Sequence, residues 1–141
     1  AVVRQLLPLA DVATPNLLEA AVLLGRDPGQ ARAWSREEQE DAARRIAELG
    51  ARAVLVKGGH RERGADDVLA AGGTVTWFDG AFVDAVSAHG TGCTLAAGIA
   101  AGLALGRDVA ESVALSKAHV ERALREGLDH PLAAARGRFG S

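Results

Sequence analysis

Short apolar runs alternate with amphipathic stretches along this chain, as expected for strands interleaved with helices. Internal repeats and low-complexity segments are absent, so the class read from the sequence is α/β. The 141 residues suffice for one domain, and a chain of this length buries roughly 70% of its unfolded surface.

Ala53-Val54-Leu55-Val56 has the length and β-branched content of a strand buried on both faces, and it runs directly into Lys57-Gly58-Gly59-His60. Asp11-Val12-Ala13-Thr14 reads as a second short buried strand, following a helical stretch over 2–7 that Pro8 breaks. In an open parallel sheet, binding groups gather beyond the carboxyl ends of the strands, which puts Thr14-Pro15-Asn16 and Lys57-Gly58-Gly59 on one rim. Asp67-Val68-Leu69-Ala70 and Thr74-Val75-Thr76-Trp77-Phe78 flank Gly72-Gly73 and read as an antiparallel hairpin at one edge.

Helical patterning covers 19–24 and stops at Gly25, ahead of a polar loop over 26–30. Ser35 and Glu38 form a capping-box pair for a second helix, with Ala42, Ala43, Ile46 and Leu49 as its buried stripe and Gly50 as its end. A small-residue helix follows over 95–105, and a last one runs from Glu111 towards Leu128 with Val113, Val120, Leu124 and Leu128 on one stripe.

A formal net charge of −2 provides no broad field to attract nucleic acid or acidic lipid, so a small-molecule role is expected. The single Cys93 cannot form an internal disulfide, and no charged leader followed by an apolar stretch opens the chain, so a cytoplasmic location is expected. Gly98, Gly102 and Gly106 have the fourfold spacing of membrane packing motifs. Their apolar stretch is shorter than the ~20 residues needed to cross a bilayer, so close helix packing is expected instead.

The most informative segment begins at His89, where Gly90-Thr91-Gly92-Cys93-Thr94 leads into the helix at Leu95. Amides at a helix start lack intrahelical acceptors and the helix dipole adds partial positive charge, which together favour an anion. Cys93 sits where thiols are commonly activated and is a candidate base for a substrate hydroxyl; it also reads as a small buried residue beside a glycine turn. Asn16 and Glu19 fit a purely structural capping box, and the same carboxylate at a helix start fits water-mediated magnesium binding. Lys57 reads as a surface lysine or, after a buried strand and before two glycines, as a phosphate ligand.

Three ordered motifs, Thr14-Pro15-Asn16-Leu17-Leu18-Glu19-Ala20, Val54-Leu55-Val56-Lys57-Gly58-Gly59-His60 and His89-Gly90-Thr91-Gly92-Cys93-Thr94-Leu95, resemble the hydroxymethylpyrimidine and hydroxymethylpyrimidine-phosphate kinases of thiamin biosynthesis. The resemblance covers nearly the whole chain but only the carboxyl-terminal half or so of that family's length. It implies a three-layer αβα ribokinase-like fold, with residues 1–141 as the carboxyl-terminal part of one kinase domain and a mostly parallel sheet carrying the antiparallel edge hairpin. It also implies a phosphotransferase that uses ATP and Mg2+ on a pyrimidine alcohol and then on its monophosphate. Cys93 is then the catalytic residue, and the amides of Gly90, Thr91, Gly92 and Cys93 form the anion hole. Asn16 and Glu19 match the magnesium-associated pair, Lys57 the phosphate-side lysine, and Lys117 a lysine near the nucleotide.

Ser87 and Ala88 stand where the family commonly has asparagine and threonine. Pyridoxal kinase activity, or a nucleotide-binding remnant without turnover, are the alternative readings. A homodimer, or association with the amino-terminal half, is the expected assembly, with neither nucleic acid nor membrane as partner.

Overall fold

In a computed structural model the described residues are 2–59, 66–80 and 91–128. They fall into two compact units, Ala1–Phe82 and Val83–Ser141.

The first unit opens with α1 (Val2–Leu6) and a 3-10 turn over Leu7–Leu9, with Pro8 at its start, where a missing N–H costs nothing. Next comes α2 (Leu17–Leu23), capped by Asn16. The stretch expected as a polar loop contains a further short helix, α3 (Pro28–Ala31). Its cause is local: Pro28 sits at the first helical position and the Asp27 carboxylate accepts the Gly29 N–H at 2.9 Å. The longer α4 (Arg36–Glu48) starts at the Ser35–Glu38 capping box and buries Gln39, Ala42, Ala43 and Ile46. Leu49, expected on that stripe, is 38% exposed, because the helix has ended and Leu49 is its C-cap. Arg26 reaches back to Asp41 on α4 at 2.8 Å. This hydrogen bond, with a second from Arg45, holds the Asp41 carboxyl below its ordinary range.

Three strands follow, β1 (Ala53–Val56), β2 (Asp67–Ala71) and β3 (Thr74–Phe78), in the order β1-β2-β3. Both pairs are antiparallel, in contrast to the mostly parallel sheet expected from the sequence. Connection length explains the difference, because the stretch 57–66 is shorter than the dozen or so residues that a parallel crossover takes. The hairpin turns at Gly72 and Gly73, whose φ values of 57° and 80° match the left-handed pair of a tight two-residue turn.

Parallel pairing survives beside β1. The stretch expected as a strand over 11–14 forms no strand and contributes one isolated bridge, from Ala13 to Val54, and Asn16 just beyond it bridges to Lys57. These rest on Ala13 N–H to Ala53 O, Leu55 N–H to Ala13 O and Lys57 N–H to Pro15 O, at 2.8–2.9 Å. Leu17, Trp34, Ile46, Val54, Val56 and Val68 belong to the core of this unit. Each large side chain removed from water there contributes about 1.5–3 kcal/mol.

In the second unit α5 (Thr91–Ala104) packs along α6 (Val109–Leu128). Helix α5 starts a turn earlier than the expected Leu95, so Thr91, Gly92 and Cys93 lie within its first turn. The seam is built of small residues. A Cβ on Gly98 would lie 2.7 Å from Ser116 Oγ, and one on Gly102 would lie 2.5 Å from Ser112 Oγ. The buried residues of α6 are therefore Ser112, Val113 and Ser116, whereas Val120 and Leu124 of the expected stripe are only partly covered and the Leu128 side chain lies outside the described residues.

Candidate active site

At the rim of the first unit, Asn16 has extended backbone angles and its side-chain oxygen accepts the Glu19 N–H at 2.8 Å. Glu19 Oε2 in turn accepts the Asn16 N–H at 2.9 Å, completing a capping box. The structural alternative for this pair is therefore realised. It uses one carboxylate oxygen, and no second partner for Glu19 is found among the described residues.

Lys57 adjoins this helix start through the Asn16–Lys57 bridge, so Asn16, Glu19 and Lys57 share one rim. Beside them is an open hollow of about 590 Å3 lined by Ala13, Thr14, Pro15, Leu18, Glu19, Val22 and Leu23. Gly58 is buried after Lys57, and its N–H donates to Asp67 Oδ1 at 2.9 Å.

The second unit carries the other candidates. Thr91, Gly92 and Cys93 occupy the first turn of α5, where backbone N–H groups point out of the helix end, and the Cys93 thiol is exposed. An exposed sulfur excludes the reading of Cys93 as a small buried core residue. Lys117 is a partly buried residue of α6. Gly90, together with His60, Ser87, Ala88 and His89, lies outside the described residues.

Sequence reading misses Gln39 and Asp67, which hold the backbone on either side of Lys57. The available signal is a polar residue at a stripe position of α4, one turn before Ala42 and Ala43. It carries little weight in a sequence, because helix starts are often polar.

The phosphomethylpyrimidine kinase family model matches residues 1–135. The chain belongs to that family. The hydroxymethylpyrimidine/phosphomethylpyrimidine kinase of Rhizobium meliloti is 44% identical over 125 residues, spanning 88% of this chain and 46% of that protein. The crystal structure of phosphomethylpyrimidine kinase from Clostridium difficile matches with a TM-score of 0.71 at 30% identity, over 87% of this chain and 47% of that one. The pyridoxal kinase of Staphylococcus aureus in complex with AMP-PCP matches with a TM-score of 0.76 at 35% identity, over 87% and 44%. The ribokinase-like α/β fold implied by the motifs is thereby established, and the chain spans less than half the length of these relatives.

For this phosphomethylpyrimidine kinase family member, no group of three or more histidine, cysteine or acidic side chains capable of holding a metal occurs among the described residues. A single carboxylate at the rim suits magnesium, which commonly binds through one or two carboxylates together with substrate phosphates, better than a metal that needs a full protein cage. No helix among the described residues is long and apolar enough to cross a membrane.

Proposed function

We propose that the protein phosphorylates 4-amino-5-hydroxymethyl-2-methylpyrimidine, and then its monophosphate, with ATP. Family membership supports the reaction class. The observation that carries the reading is the Asn16–Lys57 bridge, which sets a helix start bearing a carboxylate beside a lysine-glycine strand end.

In this reading Lys57 meets the nucleotide phosphates, and Glu19, with Asn16 beside it, would hold magnesium. Magnesium would supply charge neutralisation on the phosphates. The amides at the start of α5, from Thr91 to Cys93 and with Gly90 before them, donate to the oxygens of the γ-phosphoryl group, which is stabilisation by position and charge. Cys93, acting as the thiolate, takes the proton of the substrate hydroxyl and becomes the thiol while the oxygen–phosphorus bond forms, the bond to the β-phosphate oxygen breaks, and ADP leaves. Lys117 is assigned to the nucleotide side. The assembly proposed is a second copy of the chain, or a further portion of the family's length, completing the sheet.

The test uses the complete gene product, Mg-ATP and the pyrimidine, with ADP release measured by a coupled assay and products by mass. Cys93→Ala is expected to lower kcat about a hundredfold, in line with loss of a general base. A variant as fast as the unmutated protein sinks the assignment. ATP binding by calorimetry without ADP release points to the remnant reading. A second reading, pyridoxal phosphorylation, draws on the similarity to the Staphylococcus aureus pyridoxal kinase. Competition between pyridoxal and the pyrimidine in one assay ranks the two substrates.

A further inference from the structure

The buried stripe of α4 opens on an amide. Gln39 has no solvent exposure and sits where a helix covering a sheet ordinarily carries an aliphatic residue. Its Nε2 bears two hydrogens, and the structure gives acceptors to both: the carbonyls of Val56 and Asp66, each at 3.0 Å. These residues mark the place where the β1–β2 ladder ends, since Val56–Val68 is its last pair. The amide of Gln39 thus supplies a donor to two carbonyls at the end of the ladder.

The consequence concerns Lys57. The Val56 carbonyl and the Lys57 N–H belong to one planar peptide group, and both of its polar atoms are held, the oxygen by Gln39 and the N–H by Pro15 O at 2.9 Å. The next peptide group is held through the Gly58 N–H by Asp67 Oδ1. Asp66 is fixed in turn, because its carboxylate accepts from the Gly80 N–H at 3.2 Å and from Arg36 at 3.3 Å. A Cβ on Gly58 would collide with the Asp66 carbonyl, so the two backbones approach closely here. With both flanking peptide planes fixed, the direction in which the Lys57 side chain leaves the backbone is fixed as well.

We propose that Gln39 is a positioning residue for the phosphate contact, acting through the Val56–Lys57 peptide to aim Lys57 at the rim. This rests on the reading that Lys57 meets the phosphates of ATP. The test measures KM for ATP and for the pyrimidine in the complete gene product bearing Gln39→Met, Lys57→Ala or both; methionine keeps the length and helix preference of glutamine while removing its donors.

Gln39→Met is expected to raise the ATP KM about tenfold, with the pyrimidine KM unchanged within about twofold, and the double variant to be no worse than Lys57→Ala alone. An unchanged ATP KM in Gln39→Met beside a raised one in Lys57→Ala overturns the proposal, as do effects that multiply in the double variant. If Lys57→Ala itself leaves the ATP KM unmoved, the role of Lys57 fails first and the proposal with it. Gln39→Glu provides an independent arm should the methionine variant not fold. A carboxylate offers no hydrogen to the two carbonyls until it is protonated, so its ATP KM should improve relative to the unmutated protein as pH is lowered from about 8 to about 6. A KM that tracks the unmutated protein across that range overturns the proposal.

Discussion

At Asn16 the backbone passes from extended geometry into α2, and the reciprocal bonds with Glu19 satisfy two amides that the helix leaves without partners. A structural cap and a magnesium-associated carboxylate make different demands, so substitutions can separate them. Asn16→Ala removes the acceptor for the Glu19 N–H and is expected to lower stability by about 1 kcal/mol in urea denaturation. Glu19→Gln keeps a side-chain oxygen that can accept the Asn16 N–H but loses the charge. It should stay within about 0.5 kcal/mol of the unmutated protein while needing more magnesium for half-maximal activity. An unchanged magnesium requirement would assign Glu19 to the cap alone.

Elements differ in how far the sequence discloses them, and capping chemistry accounts for much of the difference. The starts of α2 and α4 are legible from Asn16–Glu19 and Ser35–Glu38, because a cap is a local hydrogen-bond exchange between residues close in the chain. The β2–β3 hairpin is legible from Gly72-Gly73 for the same reason. The rim that pairs Asn16 with Lys57 follows from the rule for strand ends, although β2 and β3, on the other side of β1, run antiparallel. Gln39 is not legible: its acceptors lie 17 and 27 positions further along the chain, and nothing local marks them.

The α5–α6 seam is partly legible, since the glycine spacing announces close packing while the facing serines break the aliphatic pattern expected of α6. Gly102→Ala would drive a methyl group against Ser112 and is expected to cost about 1–3 kcal/mol, with thermal unfolding as the measurement. Ser112 Oγ is buried without a hydrogen-bond partner among the described residues. Ser112→Ala should therefore be near neutral on its own, and should soften the penalty when combined with Gly102→Ala. Additive losses in the double variant would contradict the packing contact.

On the scale of the whole chain, the stretch beside β1 is paired, among the described residues, on its β1 side only. Ala13 uses both its N–H and its carbonyl towards β1, whereas Val12 and Thr14 make no backbone hydrogen bonds among the described residues. The hollow lined by Ala13, Thr14, Pro15, Leu18, Glu19, Val22 and Leu23 adjoins this edge, and Val22 is 64% exposed. An unpaired edge next to apolar side chains is a template for another strand, and proteins seldom leave such a combination open to water. The chain of 14.5 kDa, prepared by itself, is therefore expected to scatter light as a dimer or larger species at micromolar concentration. Val22→Lys, which puts a charge on the hollow without touching a cap or a core contact, should shift that population towards monomer. A monomeric mass for the unmutated chain would mean that the edge is protected by some other route, and an assembly indifferent to Val22→Lys would place the contact elsewhere.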